Sequence, residues 1–128
     1  MNNKIIEFNQ GKATLQVSNY QYGNRLYVGA IMIEDNEPFG DITVNLPDLP
    51  ISHNAEGFID DLINSNTFDL IPKLKELGII KESYGKVRYN YGSYEYVKFD
   101  LEKLKEYDKD GVEKYLTLTN EIEHNISI

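Results

Sequence analysis

From Lys12 to Ser18 the apolar residues Ala13, Leu15 and Val17 alternate with Lys12, Thr14, Gln16 and Ser18. A period of two sends successive side chains to opposite faces of an extended chain, so this segment is constrained to be a strand with one buried face. Its neighbours carry the same chemistry. Lys4 to Phe8 is short and apolar and ends at the turn Gln10-Gly11. Leu26 to Ile33, rich in β-branched and aromatic residues, follows the turn Tyr22-Gly23-Asn24. After the charged turn Glu34-Asp35-Asn36-Glu37-Pro38, Asp41 to Leu46 gives a fourth strand. Four strands on short turns predict an antiparallel meander.

Pro47 and Pro50 end this region, and Leu46 to Ser52 reads as an extended connection. Leu70, Ile71, Leu74 and Leu77 then share one helical face. Asp69 as cap would put Pro72 at the third helical position, where its missing donor is harmless, and Gly78 stops the helix. Lys86 to Tyr91 and Ser93 to Phe99 surround Gly92 as a hairpin. Asp100 can cap a helix over Leu101, Leu104 and Tyr107, which Asp108-Lys109-Asp110-Gly111 breaks. Asp110 and Glu113 have capping-box spacing for a last helix, although the threonines at 117 and 119 also fit a strand. The expected fold is α+β: a mainly antiparallel sheet of about six strands, one central helix over 70–77, and a helical extension. Residues 1–99 would form the core and 100–128 the extension of a single domain. Val112, Tyr115, Leu116, Ile122 and Ile126 are expected to pack within the monomer rather than form a dimer patch.

Composition removes several functions. A chain of 128 residues with 41% apolar and 12% aromatic residues can bury a core. It has no cysteine, which excludes disulfides, thiolate metal sites and a cysteine nucleophile. No run approaches a membrane span and no leader is evident, so a cytoplasmic protein is expected. The acids lack the register of a calcium loop, and the glycines form no phosphate-binding fingerprint. His53 and His124 sit in no ligand or catalytic spacing. No metal, no cofactor and no catalysis are expected.

What remains is charge and tyrosine. Between Arg25 and Lys73 there is no lysine or arginine, and there are nine carboxylates: Glu34, Asp35, Glu37, Asp41, Asp48, Glu56, Asp60, Asp61 and Asp69. The formal charge of the whole chain is −8. Such a field repels nucleic acid and membranes and attracts a basic protein surface, with Glu34, Asp35, Glu37, Asp41, Asp60 and Asp61 as candidate contacts. Against this, Tyr84, Tyr89, Tyr91, Tyr94 and Tyr96 interleave with Lys81, Lys86, Arg88 and Lys98. Aromatics and cations on a sheet could stack exposed bases, which makes Arg88, Tyr89, Tyr91 and Tyr94 an alternative nucleic-acid site. The same tyrosines could instead be cross-strand pairs that hold the hairpin together.

Two fragments carry a family likeness: Arg25-Leu26-Tyr27, and Glu37-Pro38-Phe39-Gly40-Asp41 continuing through Ile42-Thr43-Val44-Asn45-Leu46-Pro47. With Phe58-Ile59-Asp60, Asn64 to Asn66, the helix at 74–79 and the strand at 94–99, they resemble the domain-of-unknown-function family 4313 over roughly residues 12–100. The sharpest element is Thr43 to Pro47. That family occurs in phages and mobile elements, and the resemblance carries no catalytic role. Small acidic proteins of such elements resemble inhibitors of host defence, of the anti-CRISPR or antirestriction type. The resemblance therefore implies a non-catalytic inhibitor whose carboxylates replace phosphates against a host nuclease.

Overall fold

The computed structural model describes residues 4–8, 11–21, 24–33, 38–52, 55–60 and 70–126. Among these residues the chain forms two antiparallel sheets of four strands each and two helices. The first sheet runs in chain order: β1 (Ile6–Phe8), β2 (Gly11–Asn19), β3 (Leu26–Met32) and β4 (Pro38–Asp41). The first three strands pair as expected, with Leu15 opposite Ala30 and Val17 opposite Val28, but the fourth is Pro38–Asp41 rather than Asp41 to Leu46. The second sheet, in spatial order, is β5 (Thr43–Val44), β6 (Glu56–Asp60), β8 (Gly92–Phe99) and β7 (Ile80–Tyr89). Helix α1 is Leu70–Glu76 and α2 is Leu101–Ile126.

The expected single sheet of about six strands is thus corrected to two sheets, for two physical reasons. Asp41 to Leu46 is not one strand: the chain bends at Ile42 and changes sheets. At the bend the Ile42 amide still donates to the Val28 carbonyl (2.9 Å), and the Thr43 hydroxyl accepts from the Val28 amide (3.1 Å). A side chain thus completes the first sheet's ladder while the Thr43 backbone pairs with Ile59 in the second. The other reason is β6, which has no alternation to read. Glu56, Gly57, Phe58 and Ile59 are all buried, so both faces are covered and the period of two disappears.

One apolar core joins the two sheets and both helices. It includes Leu15, Val17 and Val28 from the first sheet, Ile59, Val97 and Phe99 from the second, and Leu74, Leu104, Val112 and Tyr115 from the helices. Helix α1 ends as the glycine predicts. Gly78 has φ +77°, and the Ile79 and Gly78 amides return to the Leu74 and Lys75 carbonyls at 2.9 and 3.0 Å. The hairpin turns on Asn90 and Tyr91 rather than on Gly92. Both have positive φ (+47° and +68°), and Tyr89 pairs with Gly92.

The described C-terminal residues Leu101–Ile126 are helical, with a kink where Asp108 leaves helical geometry (φ −150°, ψ 79°). Asp100 caps its start, accepting from the amides of Glu102 (3.0 Å) and Lys103 (3.2 Å). The second cap is Asp108, not the predicted Asp110 box: Asp108 Oδ1 accepts from the Gly111 amide at 3.1 Å. Its other oxygen, Oδ2, accepts from the Val17 amide at 2.8 Å, beyond the point where β1 stops covering the edge of β2. Thr117 and Thr119 fit the helix by bonding their hydroxyls to the carbonyls four residues earlier (2.9 and 3.1 Å). Val112 and Tyr115 are buried in the core and Leu116 packs against it, so the helix this far is part of the core rather than an appendage to it; the side chains of Ile122 and Ile126 lie outside the described residues.

Gly111 lets the helix approach so closely. A Cβ there would collide with the Val17 carbonyl oxygen and the Asp108 carboxylate. Gly111→Ala is therefore expected to destabilise by about 1–3 kcal/mol through overpacking, despite alanine's better helix propensity. Asp108→Asn should keep the cap but turn an amide donor toward the Val17 N–H, with a loss of about 1–3 kcal/mol. Urea unfolding of both variants measures this. Unchanged midpoints would show that the contact does not hold the helix to the sheet.

Candidate functional site

The outer face of the second sheet concentrates the tyrosines. Register places Phe58 opposite Tyr96 and Asp60 opposite Tyr94, and strand alternation keeps Glu56, Phe58, Tyr94 and Tyr96 on one face. A register shift between Ser83 and Gly85 adds Tyr84 beside them. The rings of Phe58 and Tyr96 stack with centroids 5.0 Å apart, and Tyr84 tilts against Tyr96 at 4.8 Å.

Glu56 lies within this cluster and is 1% exposed. Its carboxylate accepts from the Tyr96 hydroxyl, the Ser52 amide (2.8 Å) and the Ser52 hydroxyl (3.0 Å). Burial alone would raise its pKa. The hydrogen bonds from Tyr96, Ser52 and Tyr84 outweigh that and hold it at about 2. The partners shift the other way: the bond to Glu56, then burial, pushes Tyr84 up to about 12, and burial followed by the Glu56 bond raises Tyr96. This is a fully bonded anion that fastens the 46–52 connection to the sheet. The same connection is held at Asp48, which accepts from the Tyr89 hydroxyl at 2.6 Å, and at the Leu46 carbonyl, which accepts from Arg25 at 2.9 Å.

The acidic candidates divide. Glu34, Asp35, Glu37 and Asp61 lie outside the described residues. Asp41 ends β4 and accepts from the Tyr27 hydroxyl at 2.7 Å, so it has a structural partner. Asp60 ends β6 opposite Tyr94 in the second sheet. Glu56 and Asp48, part of the same acidic span, are bonded within the fold. At least three of the nine carboxylates therefore organise the protein itself.

The alternative nucleic-acid residues do not form a flat stacking platform. Tyr89 is tied to Asp48, and the Tyr94 ring occupies the space a Cβ on Gly92 would need. Tyr91 lies in the turn, not on the face of β7, and is fully exposed. Arg88 pairs with Ser93, on the face opposite Tyr89. Sequence reasoning missed Glu56 as a buried anchor. The signal available for it was an acidic residue at the head of the apolar run Gly57-Phe58-Ile59, with Ser52 just upstream.

Among the described residues no group of three or more histidines or acids could hold a metal ion, and no helix is long and apolar enough to cross a membrane.

The Glu56 cluster gives a pH prediction with a definite sign. Its folded pKa lies below the ordinary 4.5, so its contribution is complete above that value and fades as pH falls toward 2. The raised tyrosines act oppositely: their contribution is complete below the ordinary 10.0 and is lost at higher pH, for Tyr84 as pH rises toward 12. Thermal melts of the protein should show a plateau between these limits. Tyr96→Phe should cost about 1–3 kcal/mol at neutral pH, because a buried carboxylate loses a donor. A Tyr96→Phe protein with an unchanged melting profile on both flanks would refute the assignment.

Comparison with curated proteins and with solved structures finds no match. A family model does match, over residues 14–118. It extends past the sequence-based limit at residue 100 and takes in most of α2, in keeping with the place of Val112 and Tyr115 in the core. The span contains both sheets from Thr14 onward, the tyrosine-lined face and the Asp108–Gly111 crossing, and by it the chain belongs to the family described as Domain of unknown function (DUF4313).

Proposed function

We propose that this protein is a non-catalytic binding protein that engages a basic surface of a nucleic-acid-processing enzyme and inhibits it, as an anti-CRISPR or antirestriction protein of a phage or mobile element would. The observation that carries the reading is the charge distribution. Nine carboxylates fall between Arg25 and Lys73 with no lysine or arginine among them, in a chain of net charge −8. An anionic surface of that kind competes with phosphates for an arginine- and lysine-lined channel and accelerates encounter. Rigid backing supports it. Tyrosine hydroxyls hold Asp41, Asp48 and Glu56 in place and bring no positive charge of their own.

Glu34, Asp35, Glu37, Asp60 and Asp61 are the contacts to test, with Asp41 left in place because Tyr27 holds it. Purified defence nucleases should capture the protein at about 0.1 M salt and release it toward 1 M, where screening shortens from about 10 to about 3 Å. Changing the five acids to Asn or Gln should weaken capture roughly tenfold or more, with circular dichroism checking that the variant is still folded. Capture that is insensitive both to salt and to the five changes would overturn the charge mechanism.

A further inference from the structure

We propose that the tip of the β7–β8 hairpin is a docking element for an acidic, extended peptide segment of a partner protein, with Tyr91 and Arg88 as its two contacts. The inference is independent of the reading above, which concerns the opposite charge on another part of the chain.

Tyr91 is the first observation. It occupies the second central position of a two-residue hairpin loop with φ +68°, a backbone conformation that favours glycine and is an outlier for a bulky residue. Asn90 before it, at φ +47°, suits this turn, and Asn-Gly would complete it without strain. Yet position 91 carries a large aromatic ring that is fully exposed. The ring has no hydrogen bond or ring contact among the described residues, unlike Tyr84, Tyr89 and Tyr96. Strain held at a position that contributes nothing to internal packing is the pattern of a site kept for an outside contact.

The second observation is the rigidity of the base. Tyr89 is bonded to Asp48, and the Tyr94 ring covers Gly92, so the strands on either side of the turn are fixed. A presented ring on a rigid base loses little freedom on binding, and tyrosine and arginine are the residue types that dominate binding energy at interfaces.

Charge selects the partner. In a chain of net charge −8, residues 80–99 hold Lys81, Lys86, Arg88 and Lys98 against Glu82 and Glu95. Glu95 is buried and engaged by Lys75 and Lys86 (3.2 and 3.6 Å). Arg88 is exposed and makes no ion pair among the described residues. Among the described residues β7 is also an edge strand, paired only with β8. Its cations repel a second copy of the same edge, and its register shifts disturb regular pairing at 80–85. Beyond the shifts, Lys86 to Tyr89 is regular, so an acidic strand can align there with a carboxylate on Arg88 and a side chain against Tyr91.

The test uses a displayed library of random linear peptides, selected on the immobilised full chain. Enriched peptides should share an acidic and apolar pattern. As synthetic peptides they should bind Tyr91→Gly and Arg88→Ala roughly tenfold or more weakly than the unaltered chain. Tyr91→Gly should at the same time melt higher, because it relieves the turn, so lost binding cannot be ascribed to lost folding. The chain with Glu34, Asp35, Glu37, Asp60 and Asp61 neutralised should still bind these peptides, which separates this site from the one proposed above. Failure to enrich any peptide, peptides without acids, or binding to either variant as tight as to the unaltered chain would each overturn the proposal. So would labelled single-stranded oligonucleotides that bind through Tyr91 while no peptide does.

Discussion

The structure depends on how carboxylates are satisfied within a span of sequence that has no lysine or arginine. Between Arg25 and Lys73 the chain has nine acids and no lysine or arginine, so ion pairs cannot form within that span. Tyrosine hydroxyls take the role instead: Tyr27 on Asp41, Tyr89 on Asp48, and Tyr96 with Tyr84 on Glu56. A phenol donates a hydrogen bond without bringing charge, so each carboxylate is fixed in position with no counter-charge supplied. Two of these bonds also set tertiary structure, since Asp48 and Glu56 hold the 46–52 connection against the second sheet. The high tyrosine content and the acidic span are therefore parts of one arrangement.

The two sequence fragments that carry the family likeness turn out to be contact partners. Arg25 donates to the Leu46 carbonyl, Tyr27 donates to Asp41, and the Val28 amide donates to the Thr43 hydroxyl. Tyr20 adds a bond to the Thr43 carbonyl at 2.9 Å and packs edge-on against Tyr27. Thr43 is where the chain passes from one sheet to the other. Its hydroxyl does for the first sheet what a backbone carbonyl would otherwise do. A valine there would fill the same space and leave the Val28 amide without that acceptor.

Much of the fold was legible because the signals were local. The alternation in β2, the glycine stop at Gly78 and the cap at Asp100 each follow from a few adjacent residues, and each is present. What was not legible depended on distant partners. Nothing within Asp41 to Leu46 marks Ile42 as a bend, since the bend is defined by bonds to Val28. β6 hides because Phe58 is covered by Tyr96 on the face where alternation would have called for a polar residue. Asp108 rather than Asp110 caps the last helix because its second oxygen is also needed by Val17. For the candidate surfaces, charge could be counted in the sequence, but which acids are already bonded could not. The tyrosine hairpin could be read as well, though not that the fold uses most of its rings and leaves Tyr91 alone at the turn.

The bond from the Val17 amide to Asp108 joins residues 91 positions apart. During synthesis the strands of the first sheet emerge long before the helix that seats on β2. Until Asp108 and Gly111 are available, β2 presents part of an open edge and the apolar side chains of Leu15 and Val17. Closing a loop of that length is entropically slow, and unpaired edges are where nascent chains go astray. The narrow passage that Gly111 provides is thus where the last part of the chain to be made closes over one of the first.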